Sequence, residues 1–375
     1  MAKVLIVDDS ALMRRHLKEI LETRGGHEVV MARNGIEALA ALVNDDPDVI
    51  TLDINMPEMD GLTCLSRIMA ERPKPVVMVS SLTEKGAEIT LQAMALGAVD
   101  FIQKPEGTIS LNVTRIEQDI LDKVGAACRA RIRRSVGLTS RLRAQSGLAE
   151  PKRERRLGVA ASGLSPIDAT EPGVVVIGVS TGGPGTLEEI LPRIPAEFPW
   201  PVVVAQHMPG SFTAVFARRL NEMCPLTVVE AAAQMPLEPG VIYVGKGDAD
   251  VVVGKRATRH VVNPMPAGAQ YLWHPSVARL VESTLHAFPP ERVIGVMLTG
   301  MGDDGAQAMA ELRSRGGRTI AQDEATSVVW GMPGELVKRG GASVVLPAER
   351  IADQLSAWLM RGQPTKERRH GLGQR

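Results

Sequence analysis

Short apolar runs alternate with amphipathic stretches along the first 125 residues. The runs predict strands near 3–7, 28–32, 48–52, 75–79 and 100–103, and the stretches between them predict helices near 11–23, 35–43, 61–71, 85–96 and 110–133. Strands separated by helices pair in parallel, with right-handed crossovers that place helices on both faces of the sheet. The pattern therefore predicts a five-stranded, doubly wound (flavodoxin-like) α/β domain.

A second alternation begins at Gly173. Apolar runs end at Ser180, at His207 and at the loop that starts at Thr299, and a helical pattern follows each of them. Further strands are predicted at 318–322 and 342–346, with helices near 333–338 and 351–360. Short apolar runs at 241–244, 251–253 and 259–262 lie among Gly-rich turns and favour a small antiparallel extension. We expect a second doubly wound, parallel α/β domain.

Composition adds a connector between the two domains. The chain has 375 residues and equal numbers of basic and acidic residues, but ten Arg or Lys fall between positions 129 and 156. The predicted organisation is a domain over 1–125, a basic helix end and flexible linker over 126–172, a second domain over 173–360, and a disordered polar tail over 361–375. With 3% aromatic residues and no helix-turn-helix pattern, no nucleic-acid partner is expected.

Cysteine usage and hydropathy bear on the compartment. Three widely spaced cysteines, Cys64, Cys128 and Cys224, form neither a disulfide framework nor a metal-ligand cluster, which indicates a reducing environment. The first apolar run ends in two aspartates, as a strand does and a signal peptide does not. No apolar run approaches the length of a membrane span, so no membrane insertion and a cytoplasmic location are expected.

Five polar residues of the first domain follow apolar runs: Asp8, Asp9, Asp53, Ser80 and Lys104. The carboxyl ends of parallel strands line one crevice, so these side chains should converge. Clustered carboxylates repel one another unless a hard cation such as Mg²⁺ neutralises them, and a carboxylate there could attack a phosphoryl donor. Any single one of these residues is more often a helix cap or a turn residue.

As a set, these residues resemble the receiver domain of two-component response regulators, and the segment M-P-E-M-D-G after Asp53 adds to the likeness. The resemblance implies that Asp53 is the phosphoacceptor and that Mg²⁺ is held by Asp8, Asp9 and Asp53 together with the backbone carbonyl of Asn55. It further implies that Ser80 is the switch hydroxyl, and that Lys104 pairs with the phosphoryl group.

In the second domain, the chemistry centres on G-V-S-T-G-G-P around Ser180. Gly178, Gly182 and Gly183 bracket the serine on a turn from strand to helix, and Pro184 suits the first helical position. The N–H groups at such a helix start can stabilise a phosphate or an oxyanion. The glycines by themselves leave open a phosphate cradle, a nucleophile elbow or a plain turn.

His207 and an acidic loop favour nucleophilic catalysis. A serine hydroxyl needs a neighbouring imidazole to take its proton, and the imidazole needs a carboxylate to fix its tautomer. The order Ser, His, Asp differs from that of α/β-hydrolases, so the elbow is no evidence for that fold. Asp303 and Asp304 compete for the third role, and His207 taken alone would be read as a structural histidine.

Four motifs resemble the catalytic domain of the chemotaxis protein-glutamate methylesterases. They are S-T-G-G-P from Ser180, Q-H-M-P around His207, L-T-G-M-G-D-D-G-A around Asp304, and Q-D-E-A-T-S-V-V-W-G-M-P from Gln322. The resemblance implies a Ser180–His207–Asp304 triad with the Met301 N–H and Thr181 at the oxyanion pocket.

The same resemblance implies a substrate, partners and regulation. Glutamate methyl esters of methyl-accepting chemotaxis receptors would be hydrolysed to release methanol, and receptor glutamines deamidated, without a cofactor for catalysis. A CheA-type histidine kinase would supply the phosphoryl group, and the enzyme would be recruited to membrane receptor arrays. The receiver would cover the catalytic mouth until Asp53 is phosphorylated.

Two other classes of function stay open at the level of sequence. An output domain that binds a nucleotide or a partner would need the Gly-rich turn but neither His207 nor Asp304. A hydrolase of a different ester or amide would keep the triad and change the pocket.

Overall fold

The structure, a computed structural model, describes residues 1–81, 83–104, 113–131 and 167–359. Most of the predicted linker (132–166) and the predicted tail lie outside the described residues, and the domain boundaries stay predictions.

The first sheet has five parallel strands in the order β2-β1-β3-β4-β5. These strands are β1 (Lys3–Val7), β2 (Glu28–Ala32), β3 (Val49–Asp53), β4 (Val76–Ser80) and β5 (Asp100–Gln103). The helices are α1 (Ala11–Glu19, continued by a π-helical turn, Ile20–Arg24), α2 (Gly35–Asn44), α3 (Gly61–Glu71), α4 (Glu84–Leu96) and α5 (Val113–Arg129). Helices α1 to α4 begin after Ser10, Asn34, Asp60 and Thr83, whose side chains accept a first-turn N–H.

The second domain is built on a seven-stranded parallel sheet, in the order β15-β14-β13-β6-β7-β10-β8. Its strands are β6 (Val174–Val179), β7 (Val202–Gln206), β8 (Thr227–Ala231), β10 (Val241–Gly245), β13 (Val293–Met297), β14 (Arg318–Gln322) and β15 (Val344–Leu346), and a separate antiparallel sheet contains β9 (Met235–Pro236), β11 (Ala249–Arg256) and β12 (Arg259–Pro266). The helices are α6 (Gly183–Ile190), α7 (Gly210–Met223), α8 (Val277–Ala287), α9 (Ala306–Ser314), α10 (Met332–Lys338) and α11 (Ala348–Leu359).

The predicted fold class is confirmed, with one strand placed differently. The run at 241–244 was expected in the antiparallel extension, but β10 pairs in parallel with both β7 and β8. Four of its five residues are buried, because it lies between two strands of the main sheet. The edge strand β8 was not predicted, since its alternation of polar and apolar residues is short. Two of the three short strands predicted for the extension, β11 and β12, do form the antiparallel sheet, together with β9.

Each large sheet reverses its strand order beside its first strand. Strand β1 lies between β2 and β3, and β6 lies between β7 and β13. Helices leave such a point toward opposite faces, which opens a crevice at the carboxyl ends of the strands. Both groups of candidate residues lie at these two crevices.

The two domains pack against each other with a shared apolar core. Phe101 of β5 stacks on Phe212 of α7 with ring centroids 4.4 Å apart, and α4 packs along α6 and α7. At the edge of this contact, Arg218 pairs with Glu84, and Arg131 lies 2.7 Å from Glu324. The receiver-like domain therefore presents its α4–β5–α5 face to the second domain.

Candidate active site and phosphoacceptor pocket

The acidic residues of the first domain come together as predicted. Asp8 and Asp9 follow β1, Asp53 ends the neighbouring β3, and one carboxylate oxygen from each lies within 4.8 Å of the other two. Lys104 enters from β5, with its Nζ 2.7 Å from Asp53 Oδ2 and 3.2 Å from Asp8 Oδ2. One lysine cannot balance the charge of three carboxylates, so a hard cation would complete the charge balance of this site. The fit to Mg²⁺ rests on this oxygen-only donor set.

Electrostatics in this pocket oppose the ionised form of Asp53. Burial raises the pKa of Asp53, and the nearby Asp8 raises it further, while Lys104 acts in the opposite direction. The pKa of Lys104 is raised despite its burial, because it faces Asp53 and Asp8. The ionised form of Asp53 therefore costs free energy in this pocket, and a bound cation would reduce that cost.

Ser80 ends β4 beside this pocket and is buried. Its hydroxyl lies at hydrogen-bond distance, 2.7 Å, from Thr90 Oγ1, and Thr90 donates to the carbonyl of Gly86. Both partners lie on α4, the helix that packs against the second domain. The Ser80 hydroxyl is thus joined to the helix that forms part of the domain contact.

In the second domain, Ser180 follows β6 on a tight turn. Gly182 has a φ of 76°, and a Cβ there would lie 2.5 Å from the side chain of Val328. A Cβ on Gly183 would lie 2.0 Å from Gln206 Oε1. Gln206 Nε2 in turn donates to the Ser180 carbonyl at 3.1 Å and so fixes the turn against β7. Both glycines are therefore required by close packing.

His207 follows β7, and Asp304 lies in the loop after β13. His207 Nε2 lies 2.9 Å from Asp304 Oδ2, and both side chains are at least nine-tenths buried. His207 Nδ1 is also buried and has no hydrogen-bond partner among the described residues. An imidazole that donates from Nε2 to a carboxylate keeps Nδ1 as its basic nitrogen. The ring is therefore held by Asp304 at Nε2, and Nδ1 is left without a hydrogen-bond partner among the described residues.

Asp304 is fixed by the start of α8. It accepts hydrogen bonds from the N–H groups of Val277 (2.7 Å) and Ala278 (3.0 Å) and from Ser276 Oγ (3.1 Å). Burial opposes its ionisation, but His207 and these N–H groups outweigh burial and lower the pKa of Asp304. Asp304 is thereby kept as a carboxylate.

The competing Asp303 points elsewhere. Its carboxylate is exposed and lies 3.0 Å from Arg339. Of the two neighbouring acids, only Asp304 reaches His207. Sequence reasoning missed Ser276, which precedes α8 and donates to Asp304. Its position before an amphipathic helix was the available signal.

The loop with Met301 lies against the Ser180 turn. Ser180 N–H donates to the Thr299 carbonyl at 3.0 Å, and a Cβ on Gly300 would lie 2.7 Å from Ser180 Cβ. Thr299 N–H donates to the buried Gln322 Oε1 at 2.7 Å, which holds this loop in place. Within the described part of the chain, the Met301 N–H makes no hydrogen bond. Met301 is thus placed close to the serine with a free donor.

Thr181 is engaged by the first domain. Its side chain faces the buried Asp100 at the start of β5, and the N–H of Gly182 donates to the Val99 carbonyl at 3.1 Å. Burial raises the pKa of Asp100, against the opposing effects of Lys123 and the Thr181 side chain. The first domain therefore binds the two residues that follow Ser180.

Comparisons with known proteins cover both domains. Residues 4–114 match the model of the response regulator receiver domain, and residues 175–355 match that of the CheB methylesterase. A protein-glutamate methylesterase/protein-glutamine glutaminase of Rhodospirillum rubrum is 75% identical over 374 residues, with the full length of both chains covered. Another, of Rhodopseudomonas palustris, is 50% identical over 96% of this chain and 98% of its own.

Among solved structures, the CheB methylesterase catalytic domain of Thermotoga maritima is 36% identical, with a TM-score of 0.48, over 49% of this chain and 97% of that one. Separately, none of the helices in the described ranges is both long and apolar enough to span a membrane.

Proposed function

This chain belongs to the family of protein-glutamate methylesterases/protein-glutamine glutaminases that carry a receiver domain, and we propose that it hydrolyses receptor glutamate methyl esters with Ser180, His207 and Asp304. The observation that carries this proposal is the buried pair of His207 and Asp304 beside the Ser180 turn. Three neighbouring strands, β13, β6 and β7, supply the three residues.

In the proposed mechanism, His207 Nδ1 takes the proton of the Ser180 hydroxyl as its oxygen attacks the ester carbonyl. Asp304 holds the imidazole through Nε2 and stabilises the imidazolium that forms. The protonated His207 then gives the proton to the departing methoxide, and methanol leaves. Water attacks the acyl-serine along the reverse path, with His207 again as the base, and releases the glutamate.

The oxyanion of each tetrahedral intermediate needs donors fixed before the reaction. The free N–H of Met301 suits this role, and Thr181 directly follows the serine in the same turn. Because the same acyl-serine forms from an amide, deamidation of receptor glutamines needs no additional group.

Phosphorylation of Asp53 is proposed to control access to this site. Asp8, Asp9, Asp53 and the Asn55 carbonyl would hold Mg²⁺, which supplies positive charge for the phosphoryl group. Ser80 would leave Thr90 to bind the phosphoryl oxygens, and Lys104 would pair with them. The loss of the Ser80–Thr90 hydrogen bond would loosen α4 and with it the domain contact.

The partners follow from this activity. The substrates would be methyl-accepting chemotaxis receptors and the phosphodonor a CheA-type histidine kinase, with the enzyme working in the cytoplasm at receptor arrays.

Methanol release from methylated receptor membranes tests the proposal. The full chain should release methanol, and a small phosphodonor with Mg²⁺ should raise the rate. Ser180→Ala should release none. Undiminished release by Ser180→Ala would exclude this serine as the nucleophile.

A further inference from the structure

An aromatic ring covers one face of the proposed catalytic base. The indole of Trp273 lies almost parallel to the imidazole of His207, with 11° between the planes and 5.4 Å between the ring centroids. This distance falls within the range of offset-stacked aromatic pairs. The His207 side chain is only 7% exposed, so the indole helps to exclude water from it.

The segment that carries Trp273 is anchored by a separate carboxylate. Asp250 at the start of β11 is fully buried and accepts from the N–H of Gly268 at 3.0 Å, from His274 Nδ1 at 2.9 Å and from the N–H of Ser276 at 2.9 Å. Arg279 of α8 pairs with the same carboxylate. Asp250 therefore fixes the segment on both sides of Trp273, and Trp273 is placed by the fold rather than by contact with His207 alone.

This arrangement leaves the imidazole with two fixed neighbours. Asp304 binds Nε2 in the plane of the ring, and Trp273 covers its face. Among the described residues, Asp304 is the charged side chain that pairs with the imidazole. A ring held in plane and on one face keeps Nδ1 in a single orientation, which a proton transfer in two directions requires.

The indole also bears on the charge that develops during the reaction. His207 becomes an imidazolium in each tetrahedral intermediate, and the face of an aromatic ring attracts a cation, most strongly for tryptophan and in a site without water. The stabilisation is larger in the transition state than in the ground state, so its loss should lower kcat rather than raise KM.

We propose that Trp273 is a positioning residue for the methylesterase reaction, which orients the imidazole of His207 and stabilises its protonated form. The inference rests on the proposed base role of His207. It adds a residue outside the four motifs that carry the family resemblance.

Trp273→Leu tests the inference in the full chain, since leucine keeps an apolar cover and removes the π face. Methanol release from methylated receptor membranes would be measured as kcat and KM. We expect kcat to fall about 3- to 30-fold with KM changed less than twofold, and Trp273→Phe to recover most of the loss. An unchanged kcat in Trp273→Leu, whether KM stays the same or rises, would overturn the inference.

Tyr271→Leu is the matched control, because Tyr271 lies in the same segment and bonds Glu282 instead of contacting His207. Its kcat should stay near that of the parent chain. An equal loss in Tyr271→Leu would attribute the effect to disorder of the segment and would contradict the proposed role of Trp273.

Ser180→Ala and His207→Gln, measured in the same assay, distinguish a failure of the proposed triad from a failure of the role proposed for Trp273. If both are inactive while Trp273→Leu has the parent kcat, only the inference on Trp273 fails. If His207→Gln keeps full activity, the proposed triad fails and the inference fails with it.

Discussion

The two domains place carboxylates at equivalent points of similar sheets, yet shift the pKa values of these carboxylates in opposite directions. In both, the carboxylates lie where the strand order reverses, beside β1 in one and β6 in the other. Burial and the nearby Asp8 raise the pKa of Asp53, whereas hydrogen bonds lower the pKa of Asp304 even though it is buried. The difference lies in the neighbours. Asp53 faces Asp8 as well as Lys104, and Asp304 faces an imidazole and the N–H groups of a helix start.

The acidic pocket lacks positive charge that a bound ion would supply, whereas the His207–Asp304 pair is already hydrogen-bonded. Three carboxylates face one lysine in the acidic pocket, so its charge would be balanced only by an added cation, which suits a switch. The pair of His207 and Asp304 has its hydrogen bonds in place before a substrate arrives, which suits catalysis by preorganisation. We propose that the two sites are coupled through the contact between the domains.

The largest expected effect concerns the pair of His207 and Asp304. Asp304→Asn should reduce methanol release by up to ~10⁴-fold, because the amide can no longer hold the imidazole in its working tautomer. The matched control is Asp303→Asn, which removes the same charge one residue away and should have a mild effect. Greater damage from Asp303→Asn than from Asp304→Asn would reverse the assignment.

Removal of the first domain is expected to have the next largest effect. A fragment that starts near Gly158 keeps the complete seven-stranded sheet and should fold alone, as circular dichroism and a cooperative melt would show. If the contacts of Val99 and Asp100 with the serine turn hold the enzyme closed, the fragment should exceed the unphosphorylated full chain about 10- to 1,000-fold. A folded fragment less active than the full chain would exclude blocking and favour positive contacts from the phosphorylated domain.

Asp53→Asn tests the acidic pocket of the first domain. It should keep the basal rate and lose stimulation by phosphodonor and Mg²⁺, since the acceptor carboxylate is gone. Radiolabel from the phosphodonor would be followed together with methanol release. Label at the parent level in this variant would rule out Asp53 as the acceptor.

Stability should respond with opposite sign at the two sites. The raised pKa of Asp53 means that its ionised form costs the folded state free energy at neutral pH, so Asp53→Asn should stabilise the first domain. The lowered pKa of Asp304 means that its ionised form stabilises the fold above the unfolded pKa, and this contribution is lost as pH falls through the folded pKa. Asp304→Asn should therefore destabilise. Urea unfolding at pH 7 measures both, and a shift of equal sign in the two variants would contradict the comparison.

The smallest effect is expected at the rim of the domain contact. Arg218→Gln removes the exposed ion pair with Glu84, and exposed pairs contribute little. Basal methanol release should rise less than about fivefold, and the rise should shrink at high salt. The matched control, Arg67→Gln, breaks an exposed pair with Glu71 inside the first domain and should leave the rate unchanged. A large effect of Arg218→Gln would indicate that charge, not apolar packing, holds the domains together.

Much of the architecture could be predicted because it is local. The periods of apolar residues give the five strands of the first domain to within one residue, and polar residues at the ends of runs mark the two crevices. The strand at Val241–Gly245 was assigned to the wrong sheet, because a short apolar run does not reveal which strands flank it. Strand β8 was missed for a related reason, since an edge strand needs little apolar sequence.

The sequence by itself determined the alternation of strands and helices and the chemistry available where the runs end. Spacing left Asp303 and Asp304 open, and the structure brings Asp304 to His207, as the family resemblance implied. Tertiary structure alone decided that Nδ1 is the nitrogen left free and that Trp273 covers the ring. The physical reason is range. Periodicity arises from contacts a few residues apart, whereas His207 and Asp304 are separated by 97 positions and meet only because strand order and the start of α8 bring them together.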